Sequence, residues 1–116
     1  MKKEHRLYLA GPLCFYPNGY TLWNSYRLEA EYYGFTVTMP NDNKLVQEGE
    51  TVSRWEMSQR IFKNCCWGMD KVDGILVNLE TYRGSEPDGG SIYELGMAYG
   101  KGARCYGFTR DKRTAD

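Results

Sequence analysis

Gly74-Ile-Leu-Val-Asn78, followed by Leu79-Glu-Thr-Tyr-Arg-Gly-Ser-Glu-Pro-Asp-Gly-Gly-Ser-Ile-Tyr-Glu-Leu-Gly96, decides the fold of this chain. It opens as an apolar run of strand length, and from Ser91 to Lys101 it takes on a helical pattern. Between them lies a loop rich in glycine and charge, Glu80 to Gly90. A strand that hands over to a helix through such a loop is the unit of a parallel α/β sheet. Ligands of these sheets gather at the carboxyl ends of the strands.

The same alternation extends outward in both directions. Arg6-Leu-Tyr-Leu-Ala10 reads as a first strand, ended by Gly11-Pro12, with a loop from Leu13 to Gly19. Leu22, Tyr26, Ala30 and Tyr33 recur at helical spacing up to Gly34, and Phe35 to Met39 alternates as a second strand closed by Pro40-Asn-Asp-Asn43. A polar loop, Lys44 to Thr51, leads to a second helix over about Val52 to Val72, built on Trp55, Ile61 or Phe62, Cys65 or Cys66, and Met69. Asp73 opens the third strand, and Ala103 to Phe108 is a fourth after Gly102 stops the third helix. Right-handed crossovers and a β-first start favour a flavodoxin-like three-layer α/β fold with a parallel sheet in the order 2-1-3-4. Such domains usually add a fifth strand, and no stretch after Phe108 reads as one. In this order the Gly11-Pro12 loop and the Glu80 to Gly90 loop face each other across one crevice.

A chain of 116 residues with 41% hydrophobic content forms one domain, spanning 1–116. Lysine plus arginine and aspartate plus glutamate both number 15, so no basic field exists to hold a nucleic acid polymer. No apolar run approaches a bilayer span, and a cytoplasmic protein without membrane contact is the expectation. The cysteines (Cys14, Cys65, Cys66 and Cys105) form no C-x-x-C pair and read as reduced thiols. One histidine, His5, gives no basis for a zinc site. No G-x-S-x-G or phosphate-binding G-x-x-x-x-G-K-[ST] occurs.

Two carboxylates stand out as a glycosyl-transfer pair, Asp88 in the loop and Glu94 in the first turn of the next helix. There the helix dipole would hold Glu94 ionised, as a carboxylate nucleophile requires. The same residues support a structural reading, because Ser91-Ile-Tyr-Glu94 is a capping-box pattern and Pro87-Asp88-Gly89 is turn chemistry. Arg83 and Gly84 suit phosphate binding, and Arg83 equally suits pairing with Glu86. Tyr8, near the carboxyl end of the first strand, could bond a catalytic carboxylate or simply pack. Trp23, Gly49 and Trp55 are candidates for shaping the pocket, with core packing an equal account of both tryptophans.

Taken in order, Tyr8-Leu-Ala-Gly-Pro12, Pro40-Asn-Asp-Asn43, Val72 to Leu79, Tyr82-Arg-Gly84, Glu86-Pro-Asp-Gly-Gly-Ser91 and Glu94-Leu-Gly-Met-Ala98 resemble the nucleoside 2-deoxyribosyltransferase family over nearly the whole chain. By that resemblance Glu94 is the nucleophile, Tyr8 positions it, and Asp88 belongs to the loop that holds deoxyribose. Gly11, Pro12, Arg83, Gly84 and Ser91 fall among the substrate-binding segments. The resemblance implies cleavage of the N-glycosidic bond of a 2-deoxynucleoside through a covalent deoxyribosyl-Glu intermediate, and transfer of the sugar to a free nucleobase. It further implies no cofactor, no metal, and a homo-oligomer.

This chain departs from the family pattern at two places. The helix before the third strand usually carries an Asp or Asn that contacts the base, and Cys65 stands there, with Asn64 just before it. An Asn near the carboxyl terminus, which completes a neighbouring subunit's site, has no counterpart after Phe108. Three other readings stand beside the transferase: an N-glycosidase acting on 2-deoxynucleoside 5′-monophosphates, a nucleoside-binding module with weakened catalysis, and a plain flavodoxin-like binding domain in which Glu94 only caps its helix.

Overall fold

A computed structural model describes residues 5–12, 16–40 and 42–112. Leu13, Cys14 and Asn41, which the sequence reading touched, lie outside that set. Four strands and three helices alternate: β1 (His5–Ala10), α1 (Gly19–Tyr32), β2 (Phe35–Thr38), α2 (Arg54–Gly68), β3 (Gly74–Asn78), α3 (Gly89–Gly100) and β4 (Arg104–Phe108). The strands form one sheet in the order β2-β1-β3-β4, every neighbouring pair parallel, as the alternation predicted. Tyr8 sits at the centre of the pairing, opposite Thr38 on one side and Ile75 on the other.

Period-two alternation along the two central strands sorts the core into two layers. Tyr8, Ala10, Ile75 and Val77 face α2 and α3, where they pack with Met69 and Ala98. Leu9 and Val37 face the other way and pack with Trp23 of α1. The buried stripe of α1 is thus Trp23, Tyr26 and Ala30. The expected Leu22 lies beside Trp23 and is 38% exposed, and the expected Tyr33 falls past the end of the helix as its C-cap and is 71% exposed. Trp55, Ile61 and Phe62 of α2 are likewise exposed, and that helix meets the sheet through its last turn, with Cys65, Gly68 and Met69.

Both helix stops fall at left-handed glycines, Gly34 after α1 and Gly102 after α3, as the sequence predicted. The polar loop after β2 is pinned to α2. Arg60 donates to the Leu45 carbonyl and to both Glu50 oxygens, and Asn64 donates to the Pro40 carbonyl. On the α1 face, the described residues cover the half of the sheet formed by β3 and β4 only in part, through the contact of Tyr26 with Phe108 and the packing of Leu76 on the α1 layer, and leave an apolar groove of about 600 Å3 beside Leu76, Tyr106 and Phe108. Among the described residues no helix is long and apolar enough to cross a membrane, and no cluster of three metal-ligating side chains occurs.

Candidate active site

Because Tyr8 points to the α2 and α3 side of the sheet, its neighbours there come from both helices. Its ring is fully buried. The hydroxyl lies beside the Glu94 carboxyl of α3 and the Cys65 thiol of α2, close enough to influence the ionisation of both and to be influenced by each. The geometry stops short of regular hydrogen bonds, and the Tyr8 hydroxyl and Glu94 Oε2, both buried, have no hydrogen-bond partner among the described residues. Burial first, then the charge of Glu94 and then Cys65, push the Tyr8 hydroxyl far above the ordinary phenol range, so it is a neutral donor.

Glu94 does not occupy the position the sequence reading gave it. The helix starts earlier, at Gly89, and its N-cap is Asp88, whose carboxylate accepts from the Ser91 amide at 3.0 Å and the Ser91 hydroxyl at 2.9 Å. Glu94 therefore stands in the second turn, and the capping box built on Ser91 is replaced by an aspartate cap. Nor does the helix dipole hold Glu94 low. Burial raises its pKa above the ordinary carboxylate range, the Tyr8 hydroxyl pulls it partly back, and the Asp88 charge raises it further. An anion so placed is poorly solvated and reactive.

The Cys65 thiol is pushed up by burial, then by Glu94, with Tyr8 opposing and Cys66 adding, which keeps it a neutral thiol. Asn64, one residue away, is committed elsewhere: its amide donates to the Pro40 carbonyl at 2.6 Å and its oxygen accepts from Asn43. Of the two base-facing candidates, Cys65 alone turns toward Tyr8 and Glu94.

Gly11 and Pro12 are buried at the end of β1, and what approaches Gly11 closely is protein. A Cβ there would lie 2.7 Å from the Cβ of Asn78, and its φ of 150° already disfavours a side chain. Asn78 is itself buried, and its side-chain oxygen accepts from the Glu80 amide, turning the chain out of β3. The loop that follows closes on itself through a Thr81–Pro87 bridge and puts Arg83 and Gly84 at its tip. Arg83 makes no ion pair with Glu86, contrary to one sequence reading. Its guanidinium stacks 5.0 Å from the Tyr82 ring centroid, on a left-handed backbone of φ 58°. Ser91 is buried and held by Asp88. Trp23 lies under the opposite face of the sheet and Trp55 is 73% exposed, so neither lines this site.

The family model described as nucleoside 2-deoxyribosyltransferase matches residues 7–116. The chain belongs to that family. Among solved structures, the deoxyribosyltransferase-like fold recurs in a 2-deoxyribosyltransferase from Leishmania mexicana, 29% identical, with a TM-score of 0.73 over 94% of this chain and 67% of that one. A 2-deoxyribosyltransferase from Bacillus psychrosaccharolyticus, 22% identical, gives 0.73 over 96% of this chain and 77% of that one. A conserved protein from Enterococcus faecalis V583, 19% identical, gives 0.65 over 97% and 69%; these last two show likeness of fold alone. No curated protein matches the chain. The family, together with the Leishmania mexicana neighbour, points to a deoxyribosyltransferase type of activity.

Two residues that shape the site escaped the sequence reading, Asn78 and Gly68. A glycine inside a helical pattern is a signal of close packing, and Gly68 was legible on that ground.

Proposed function

We propose that this chain is a nucleoside 2-deoxyribosyltransferase whose nucleophile is Glu94. The observation that carries the reading is the meeting of a raised carboxyl, a neutral tyrosine hydroxyl and a neutral thiol on one side of the sheet. Two of their polar atoms are buried and have no partner among the described residues. Buried polar atoms left open are costly unless a bound molecule satisfies them. The Glu94 carboxylate attacks the anomeric carbon of a 2-deoxynucleoside, and the N-glycosidic electron pair leaves with the base. The base takes its proton from solvent, since a thiol pushed up by burial is a weak acid. A second base then attacks the same carbon and releases Glu94, with retention over two displacements.

Tyr8 positions the carboxylate. Asp88 holds the sugar through whatever capacity its cap of α3 leaves free. Gly11, Pro12, Gly84 and Ser91 shape the surrounding loops. Cytoplasmic location and a homo-oligomer belong to this proposal as well.

Arg83 supports a second reading. Its guanidinium has no carboxylate partner among the described residues and is available to a 5′-phosphate, which fits an N-glycosidase of 2-deoxynucleoside monophosphates. Intact-protein mass spectrometry with a 2-deoxynucleoside and no acceptor tests the nucleophile. An added deoxyribosyl mass, absent in Glu94→Ala, is the expected result. Chromatography of the freed base, with and without a second base, separates transfer from hydrolysis. Repeating it with the 5′-monophosphate and with Arg83→Ala separates the two substrates. No adduct and no freed base with any of these would leave a nucleoside-binding module.

A further inference from the structure

Gly68 closes the last turn of α2, one turn beyond Cys65 and on the same face of the helix. A Cβ at this position would lie 2.8 Å from Tyr8 Cε2 and 3.2 Å from Cδ2, with the Thr38 methyl at 3.6 Å. The ring it would strike has no room to retreat. Tyr8 is fully buried on a central strand, between β2 and β3, and packs against Met69, Ile75 and Ala98. The φ of Gly68 is not in the left-handed region, so the backbone does not demand glycine here. The requirement comes from the distance between α2 and the tyrosine ring.

We propose that Gly68 is a positioning residue of the site: its missing side chain seats α2 against the Tyr8 ring and so holds the Tyr8 hydroxyl beside both the Cys65 thiol and the Glu94 carboxyl. This rests on the reading of Glu94 and Tyr8 as the reacting pair, and extends it to a residue that touches neither substrate nor nucleophile. The groups that face Glu94 are Tyr8 from β1, Cys65 from α2 and Asp88 at the start of α3, with Cys66 beside Cys65. Of these, Tyr8 is the one that stabilises the anion. Displacing its ring removes that support and leaves burial and Asp88 acting unopposed.

The test is a carbon NMR titration of the Glu94 carboxyl, assigned with Glu94→Gln, in the wild type, Tyr8→Phe and Gly68→Ala. It needs no turnover and stands even if the proposed activity fails. The expected result is an upward shift of the Glu94 midpoint in Tyr8→Phe and a shift of the same sign in Gly68→Ala. An unmoved midpoint in a folded Gly68→Ala protein overturns the proposal. Should Gly68→Ala not fold, the comparison moves to Tyr8→Leu, where the ring is gone. Equal midpoints with and without Gly68→Ala then support the route through Tyr8, and unequal ones overturn it. Where deoxynucleoside turnover is measurable, kcat in Gly68→Ala should fall on the order of tenfold to a hundredfold with KM changed less than about threefold. Adding Gly68→Ala to Tyr8→Phe should then cost no further rate.

Discussion

Glu94 is easier to protonate in the folded chain than in an unfolded one, because burial raises its pKa more than the Tyr8 hydroxyl lowers it. The sign of its effect on stability follows. The favourable contribution is complete below the unfolded carboxylate pKa and is lost as pH rises through the folded value. At pH values above the folded pKa the ionised side chain therefore strains the fold. Glu94→Gln should abolish the deoxyribosyl adduct and raise Tm by roughly a few degrees near pH 7 to 8, the gain vanishing below about pH 4. Calorimetry across that range checks it. A Tm gain constant with pH would mean that Glu94 is not the group titrating. Tyr8→Phe makes a parallel case, since it removes a buried hydroxyl with no hydrogen-bond partner among the described residues. Because that hydroxyl also lowers the Glu94 pKa, the two effects oppose each other, and stability should stay within about 1 kcal/mol of the wild type while transfer slows on the order of tenfold or more.

The start of α3 couples a structural role to the site. Asp88 caps the helix through the Ser91 amide and hydroxyl, and its charge raises the pKa of Glu94. Asp88→Ala should cost about 1 to 2 kcal/mol in denaturant unfolding, whereas Asp88→Asn keeps an acceptor and should cost less than about half of that. Asp88→Asn should also lower the Glu94 pKa, moving the acid limb of kcat/KM to lower pH. That shift separates the charge from the cap.

The sequence showed Asp88 and Glu94 as the carboxylates to watch but mistook where the helix begins. Gly89 and Gly90 read as turn residues, yet first-turn amides bond nothing within the helix, so glycine costs little there. A Cβ on Gly90 would lie 3.3 Å from Asp88 Oδ2, which is why the cap wants a glycine beside it. On α1 the spacing found Tyr26 and Ala30 but chose Leu22 over its buried neighbour Trp23. With the β3–β4 half of the sheet only partly covered on this face, the tyrosines of α1 remain partly in water, and apolar spacing alone did not single out Trp23. The meeting of Tyr8, Cys65 and Glu94 depends on the approach of α2 to the sheet, a distance that no spacing along the chain encodes.

At the scale of the molecule, strand order was legible from the alternation, crossover handedness and the β-first start that favours a flavodoxin-like order, while the uneven cover of the sheet was not. β1 and β3 have neighbours on both sides and bury most of their residues. β4 pairs with β3 alone and is largely exposed. Its far end is fastened by Glu80, which accepts from the Arg110 amide at 2.7 Å and from its guanidinium at 3.1 Å, just past the bond from the Leu79 amide to the Phe108 carbonyl. The Arg110 amide and guanidinium lower the Glu80 pKa. This clasp stabilises the fold above the unfolded carboxylate pKa and weakens as pH falls through the folded one. Amide hydrogen exchange should therefore be slowest in β1 and β3 and faster in β4. Glu80→Gln at constant pH should speed exchange at Arg110 and Leu79, leaving Tyr8 and Ile75 unchanged, because the clasp holds an edge strand and the core layer around the site rests on β1 and β3. Equal acceleration in all four strands would instead make β4 part of one cooperative unit with the core, with the open face of the sheet no weaker than the face that carries Glu94.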